Sequence, residues 1–143
     1  RRQRQMCIRD RINSVAISCL KDGFNEKLNQ SSMRFFDRVE YLDYSGMVID
    51  QKIGIKLSDK IKKNTKVIIL KNHGSIIFAD TIEELFHLTF HFEKCCSIQL
   101  SITNQGKINK VSDAIAKLTC SQHERFGAVG GMSWKAIKKL LIN

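Results

Sequence analysis

The sequence predicts an α/β domain in which short buried strands alternate with longer amphipathic helices. Two mostly aliphatic runs, Val67–Leu70 and residues 75–78, are typical of strands that are buried on both faces. Residues 81–84 directly after them match a helix capping box, because the Thr81 hydroxyl can accept the backbone N–H of Glu84. A chain of 143 residues can bury a core and corresponds to at most one domain.

Four segments before the central strands have a recognisable pattern. Residues 13–20 predict a helix that stops at Gly23, and residues 29–38 predict a second helical stretch. Residues 39–44 alternate enough to predict a strand. Residues 50–63 carry apolar side chains at helical spacing, which predicts an amphipathic helix.

Three helices are predicted after the central strands. Residues 82–103 are apolar on more than one side, so this helix should be buried centrally or against another subunit. Residues 108–126 predict a further helix, and Ser133 can cap a last helix that runs to residue 142.

Asn72, His73 and Gly74 separate the two central strands. Gly74 can adopt a positive φ, so the chain can reverse tightly and hold the imidazole of His73 at the rim of a sheet. This position suits a ligand. Without further context, however, a loop histidine bonded to the backbone explains the same pattern.

The order of strand, Asn72-His73-Gly74, strand, Thr81 cap and a helix through Glu93 resembles the class II aldolase/adducin family. Short segments elsewhere in the chain also resemble sequences of this family, at residues 18–23, 34–36, 41–46 and 133–136. The resemblance covers residues 12–143. It implies part of a three-layer α/β/α domain, with a mostly antiparallel central sheet and helices on both faces.

The resemblance also implies a chemistry. Enzymes of this family use a zinc ion, or another divalent metal, held by three histidines to stabilise the enediolate formed when a carbon–carbon bond breaks. It assigns His73 as the third metal ligand, with Asn72 and Gly74 as its supporting turn. We therefore expect the parent protein to be an aldehyde-lyase or epimerase of carbohydrate metabolism that acts on a sugar or sugar phosphate. Similar enzymes are homotetramers. No residue of this chain matches the family's catalytic carboxylate.

Residues 1–11 differ from the rest of the chain. They have no periodicity and resemble a translated sequencing adapter, so we expect a foreign or disordered N-terminus. The family's His-x-His metal motif lies just upstream of the helix that starts near Ile12, at or before this segment. We therefore expect that the chain begins inside its own gene, and that as given it neither binds zinc nor is active.

Two other function classes are considered. Adducin-type members of the family have lost the metal and act in protein assembly, so a binding or scaffolding role is the alternative. The net charge of +10 suggests nucleic acid, but five arginines and one aspartate give the first eleven residues +4, and the other lysines are dispersed without interleaved aromatics. We therefore expect no nucleic-acid partner. No apolar run is long enough to span a membrane, which indicates a cytoplasmic protein.

The remaining polar candidates are assigned structural roles. His87 and His91 have the i, i+4 spacing of a zinc pair, but they lack the Glu of the His-Glu-x-x-His motif, and the family places no ligand there. The five scattered cysteines are expected to be reduced, mostly buried thiols. Capping, packing or ion pairing is expected for Glu83, Glu84 and Glu93. Core or rim packing is expected for Tyr41 and Tyr44, with a role in proton transfer as the alternative.

Overall fold

The structure is a computed structural model that describes residues 5–44, 46, 61–104, 106–109, 111–126 and 129–142. Most of the helix predicted over residues 50–63 lies outside these ranges. The elements, in chain order, are β1 (Gln5–Arg9), α1 (Ile12–Ser18), a 3-10 turn (Ser32–Phe35), β2 (Val39–Leu42), β3 (Val67–Leu70), β4 (Gly74–Ala79), α2 (Ile82–Ile102), α3 (Asp113–Arg125) and α4 (Val129–Ile142). None of the helices described is long and apolar enough to cross a bilayer.

The four strands form one mixed sheet in the order β1-β4-β3-β2. β4 pairs antiparallel with both β1 and β3, whereas β2 pairs parallel with β3. The predicted α/β class and the mostly antiparallel character of the sheet agree with this arrangement. The parallel β2–β3 pair was not predicted. The order of strand, helix and strand predicted over residues 39–70 allows such a pair, but the resemblance implied a mostly antiparallel sheet.

Strand β1 corrects the expectation that residues 1–11 lack regular structure. Residues 5–9 pair with β4 along their whole length, with Met6 opposite Phe78 and Ile8 opposite Ile76. The pairing uses backbone N–H and C=O groups, so it does not require the alternating side chains by which a strand is recognised in a sequence. The buried strand β4 also needs partners for its backbone on this edge.

Both faces of the central strands β3 and β4 are buried. On one face, Val67, Ile69, Ile77 and Ala79 pack against α1 and α2, in a core that also contains Ile17, Leu85, Leu88 and Phe92. On the other face, Ile68, Leu70, Ile76 and Phe78 form a second cluster with Leu42 and Ile61. Because successive side chains of a strand point to opposite faces, a continuous aliphatic run is the sequence that a doubly covered strand needs.

The capping box at the start of α2 forms as predicted. The Thr81 hydroxyl accepts the backbone N–H of Glu84 at 3.2 Å. The Glu84 carboxylate reaches back to the N–H of Asp80 at 3.0 Å and also pairs with Lys66 at 2.7 Å. The carboxylate therefore links the start of α2 to the start of β3.

Several helix bounds differ from the prediction. The stretch over residues 29–38 is only a 3-10 turn, because the Asn29 side chain accepts the N–H groups of Ser31 and Ser32, and Asp37 has a positive φ of 56°. Helix α3 begins later than predicted, since the Ser112 hydroxyl caps it by accepting a backbone N–H from the first turn. Helix α4 begins earlier, at Val129.

Candidate functional site

The turn that carries His73 is fixed to the end of α1. The backbone N–H of Asn72 donates to the carbonyl of Ser18 at 3.0 Å, and that of His73 donates to Leu70 at 3.0 Å. Asn72 and Gly74 have φ values of 59° and 149°, so both occupy the region where glycine and asparagine are favoured. These two residues therefore form a tight reversal that holds the intervening imidazole at the edge of the sheet.

The His73 side chain lies outside the core and is 38% exposed. Its Nε2 atom is 3.6 Å from Oδ1 of Asp10, which lies just before α1 and is 71% exposed. The distance exceeds that of a hydrogen bond, so the two groups attract each other only when the imidazole is protonated. Asp10 was not predicted as a site residue, because residues 1–11 were interpreted as a foreign segment.

The donor set at this edge does not by itself fit a complete metal site. It consists of one imidazole and one carboxylate, whereas zinc sites in proteins use three or four protein ligands. Within the described residues, no group of three or more His, Cys, Asp and Glu side chains is placed to hold a metal ion. The metal-ligand role of His73 therefore stays a prediction.

Glu93 positions the helix that begins beside Asp10. Its two carboxylate oxygens accept the backbone N–H groups of Asn13 at 2.9 Å and Ser14 at 3.1 Å. These N–H groups belong to the first turn of α1 and have no partner within the helix. The prediction of a capping or packing role for Glu93 is thus confirmed, but the helix that it caps is not its own.

Two side chains hold the segment that follows α1. The hydroxyl of Tyr41 accepts the N–H of Phe24 at 3.0 Å, and burial raises the pKa of Tyr41, which supports a structural role. Gln99, which the sequence analysis did not identify, is buried; it accepts the N–H of Asn25 at 2.8 Å and donates to the carbonyl of Gly23 at 2.7 Å. The sequence around Gln99 did not indicate that its side chain would hydrogen-bond to the backbone of a distant segment.

His87 and His91 pack against each other, with ring centroids 4.3 Å apart. An Nη1–H of Arg34 donates to Nε2 of His87, which is then unavailable to a metal ion. Burial is the main cause that lowers the pKa of each imidazole to about 4, and the Arg34 charge lowers both further. Both rings are therefore neutral at pH 7, in agreement with the structural role predicted for them.

The four cysteines whose side chains are described are free thiols, as predicted: Cys19 is exposed, and Cys95, Cys96 and Cys120 are buried. Burial raises the pKa of Cys95 to about 11 and also raises that of Cys96 and Cys120. The three buried thiols therefore lack the thiolate character of a nucleophile.

Comparisons with known proteins agree on one family for this chain. The model of the class II aldolase and adducin N-terminal domain matches residues 11–100. Human gamma-adducin is 34% identical over 89 residues, which are 62% of this chain and 12% of that protein. The decarboxylase NovR of Streptomyces niveus is 28% identical over 96 residues, which are 66% of this chain and 35% of the relative. The chain thus spans a small part of the length of these relatives.

Solved structures with the same fold are aldolases or aldolase-like proteins. An aldolase II superfamily protein from Pseudomonas syringae superposes with a TM-score of 0.81 at 24% identity, over 92% of this chain and 53% of that one. L-fuculose 1-phosphate aldolase from Glaciozyma antarctica gives a TM-score of 0.74 at 23% identity, over 95% of this chain and 51% of that one. At these identities the likeness is one of fold, and it confirms the predicted class II aldolase-like domain.

Proposed function

The chain belongs to the class II aldolase and adducin family, and we propose that the complete protein is a metal-dependent enzyme of this family. The reaction is proposed to be carbon–carbon bond cleavage or epimerisation of a sugar or sugar phosphate. The observation that carries this proposal is the half-exposed imidazole of His73, held at the sheet edge by a turn of two positive-φ residues beside the start of α1.

The contact between His73 and Asp10 supports the proposal. The resemblance places a His-x-His metal motif immediately upstream of α1, and Asp10 occupies that position in this chain. Its carboxylate lies 3.6 Å from the ring of His73. Side chains just before α1 therefore come within reach of His73, as a shared metal site would require.

The described residues supply only two of the ligands that such a site needs, so no catalytic step is assigned to them. The chain as given is expected to be inactive, and its catalytic acid or base is unassigned. In the complete protein we propose a zinc ion or another divalent cation, with Asn72 and Gly74 supporting the His73 ligand.

The proposed substrate class and assembly follow the fold relatives. One solved structure with the same fold is an L-fuculose 1-phosphate aldolase, and another is a sugar-phosphate aldolase from Thermotoga maritima. A sugar phosphate is accordingly the first candidate substrate. We propose a cytoplasmic homo-oligomer, and the exposed apolar side chains of Phe90 on α2 and Leu140 on α4 are compatible with self-association.

A non-catalytic scaffolding role is the second candidate. It is favoured by the sequence relatives, because human gamma-adducin is 34% identical, while the aldolase structures are 23–24% identical. In this case His73 would be a remnant of the ancestral site, and the complete protein would bind other proteins without a metal.

The two candidates are separated by metal content and activity of the complete gene product. The enzyme hypothesis predicts stoichiometric divalent metal by mass spectrometry and retro-aldol activity on a panel of sugar phosphates. His73→Ala should remove both, whereas Asp113→Ala, at an exposed carboxylate at the start of α3, should remove neither. A metal-free, inactive wild-type protein would reject the enzyme hypothesis and favour the scaffold.

A further inference from the structure

A second polar site lies at the opposite end of the β3–β4 hairpin from His73. Lys66 precedes β3 and Thr81 follows β4, and both line a cavity of about 460 Å³ between the 3-10 turn, the first turns of α2 and the end of α3. Its other charged or titratable walls are Arg34, Arg38, Glu84, His87, His123 and Glu124. The cavity is therefore separate from the sheet edge at which His73 and Asp10 lie.

Both carboxylates of this cavity already have cationic partners. Glu84 pairs with Lys66 at 2.7 Å and also accepts a backbone N–H. Glu124 pairs with Arg38 at 2.5 Å. Within each of these two ion pairs the opposite charges neutralise each other. Arg34 is therefore the cation of the cavity whose charge is not neutralised.

Arg34 is oriented by imidazoles and is not neutralised. One terminal N–H donates to Nε2 of His87, and another donates to Nδ1 of His123 at 3.2 Å. The tautomer of His123 is set by its other nitrogen, because Nε2 lies 2.9 Å from the carbonyl of Gln30 and must donate to it. Nδ1 is then an acceptor, and the two rings hold the guanidinium in a fixed direction.

No carboxylate among the described residues pairs with Arg34, and its Nε atom is buried without a hydrogen-bond partner. Burial also lowers the pKa of this guanidinium, which reflects the cost of a charge without a counter-ion. Of its five N–H groups, the imidazoles use two, so further donors remain. A fixed guanidinium with spare donors matches an oxyanion better than a lysine would.

We propose that this cavity is a binding site for a small oxyanion, the phosphate or carboxylate group of a small-molecule ligand. Arg34 is the main positive charge, and His87 and His123 hold it in place. The site does not depend on His73 or on a metal ion. It is therefore independent of the proposed catalytic function.

The test is titration of the full chain with inorganic phosphate, and in parallel with acetate, at constant ionic strength. Binding is followed by backbone amide NMR shifts and by thermal unfolding. We expect saturable phosphate binding with shifts concentrated at residues 34, 66, 87 and 123, and Arg34→Gln should weaken it at least tenfold. Lys71→Gln removes the same charge at the other end of the hairpin and should leave phosphate affinity unchanged, as should His73→Ala.

The arms of the experiment also distinguish the ligand group. Tighter binding of phosphate than of acetate identifies a phosphate site, and the reverse order identifies a carboxylate site. Linear, unsaturable shifts, or equal affinity in Arg34→Gln and Lys71→Gln, would overturn the proposal. If Arg34→Gln does not fold, the distribution of amide shifts in the wild-type protein tests the proposal. Shifts spread over the lysine-rich surface would contradict a specific binding site at Arg34.

Discussion

The carboxylate of Glu93, in the middle of α2, lies 2.9 Å from the backbone nitrogen of Asn13, in the first turn of α1. Its second oxygen accepts the neighbouring N–H of Ser14. A negative charge at this place also interacts favourably with the partial positive charge of the helix N-terminus. One side chain of α2 thus fixes the start of the helix that lies between Asp10 and the His73 turn.

Glu93→Gln should destabilise the protein by about 1–3 kcal/mol, because the amide offers one acceptor and turns an NH₂ group toward a second donor. Urea unfolding followed by circular dichroism measures the change in the free energy of unfolding. Glu83→Gln is the matched control, since Glu83 makes no such bond in the first turn of the same helix. Equal losses in the two variants would show that the cap contributes nothing specific.

The sheet edge that carries His73 should bind zinc more tightly when a second histidine is introduced beside it. Asp10→His replaces a carboxylate that lies 3.6 Å from the His73 ring, and imidazole is a favourable zinc ligand. We expect zinc affinity to rise at least about tenfold, measured by competition with a chromophoric chelator. Asp113→His, at the exposed start of α3, should not raise it.

The double variant Asp10→His, His73→Ala tests whether the pair is responsible. If the gain in affinity persists without His73, the two positions do not share a metal ion. The proposed ligand geometry would then be wrong.

Gly23 tests the contact with Tyr41. It has a φ of 64°, and a Cβ atom there would lie 2.6 Å from the Tyr41 hydroxyl, which accepts the N–H of Phe24. Gly23→Ala should lower the free energy of unfolding by about 2–4 kcal/mol, because the left-handed backbone strains an alanine and because the Tyr41 side chain must move. Gly106 also has a positive φ, but a Cβ atom there meets no atom of the described residues within 4 Å, so Gly106→Ala should lower the free energy of unfolding by only about 1 kcal/mol.

Thermal and urea unfolding of the two alanine variants give the comparison. In a Tyr41→Ala background the loss caused by Gly23→Ala should be smaller than in the wild-type protein, because the hydroxyl and the ring carbons that a Cβ atom would approach within 3.0 Å are then absent. Equal stability of the two alanine variants would argue against the Tyr41 contact.

The packed pair His87 and His91 should make the folded state less stable in mild acid. Each has a folded pKa of about 4, below the ordinary value of about 6.5, so between these values the unfolded chain binds protons that the folded chain does not. Stability should therefore decrease as the pH falls from 7 toward 4, by roughly 1–3 kcal/mol at pH 5. The measurement is urea unfolding at pH 7.5 and pH 5.

The double variant His87→Gln, His91→Gln removes both groups and should show a smaller loss between these pH values. Arg34 and His123 also face the pair, so the single variants are compared as well. An undiminished loss in the double variant would assign the acid sensitivity to other groups.

The elements with a strong local pattern were predicted correctly. Strands β3 and β4, the Thr81 cap and α2 follow from aliphatic runs and a capping box, which act between residues that are near in sequence. The family and its fold followed from the same stretch. Strand β1 was missed, because its pairing with β4 depends on backbone atoms and not on a side-chain pattern.

The sequence by itself determined the α/β class, the central hairpin, the start of α2 and the position of His73 in the turn. Only the tertiary structure decided that Asp10 lies beside His73, that Glu93 caps α1, and that Arg34 lies between His87 and His123. The physical reason is separation along the chain. Local patterns record the preferences of neighbouring residues, whereas Arg34 and His123 are 89 positions apart and meet only because the packing of the 3-10 turn, α2 and α3 brings them together.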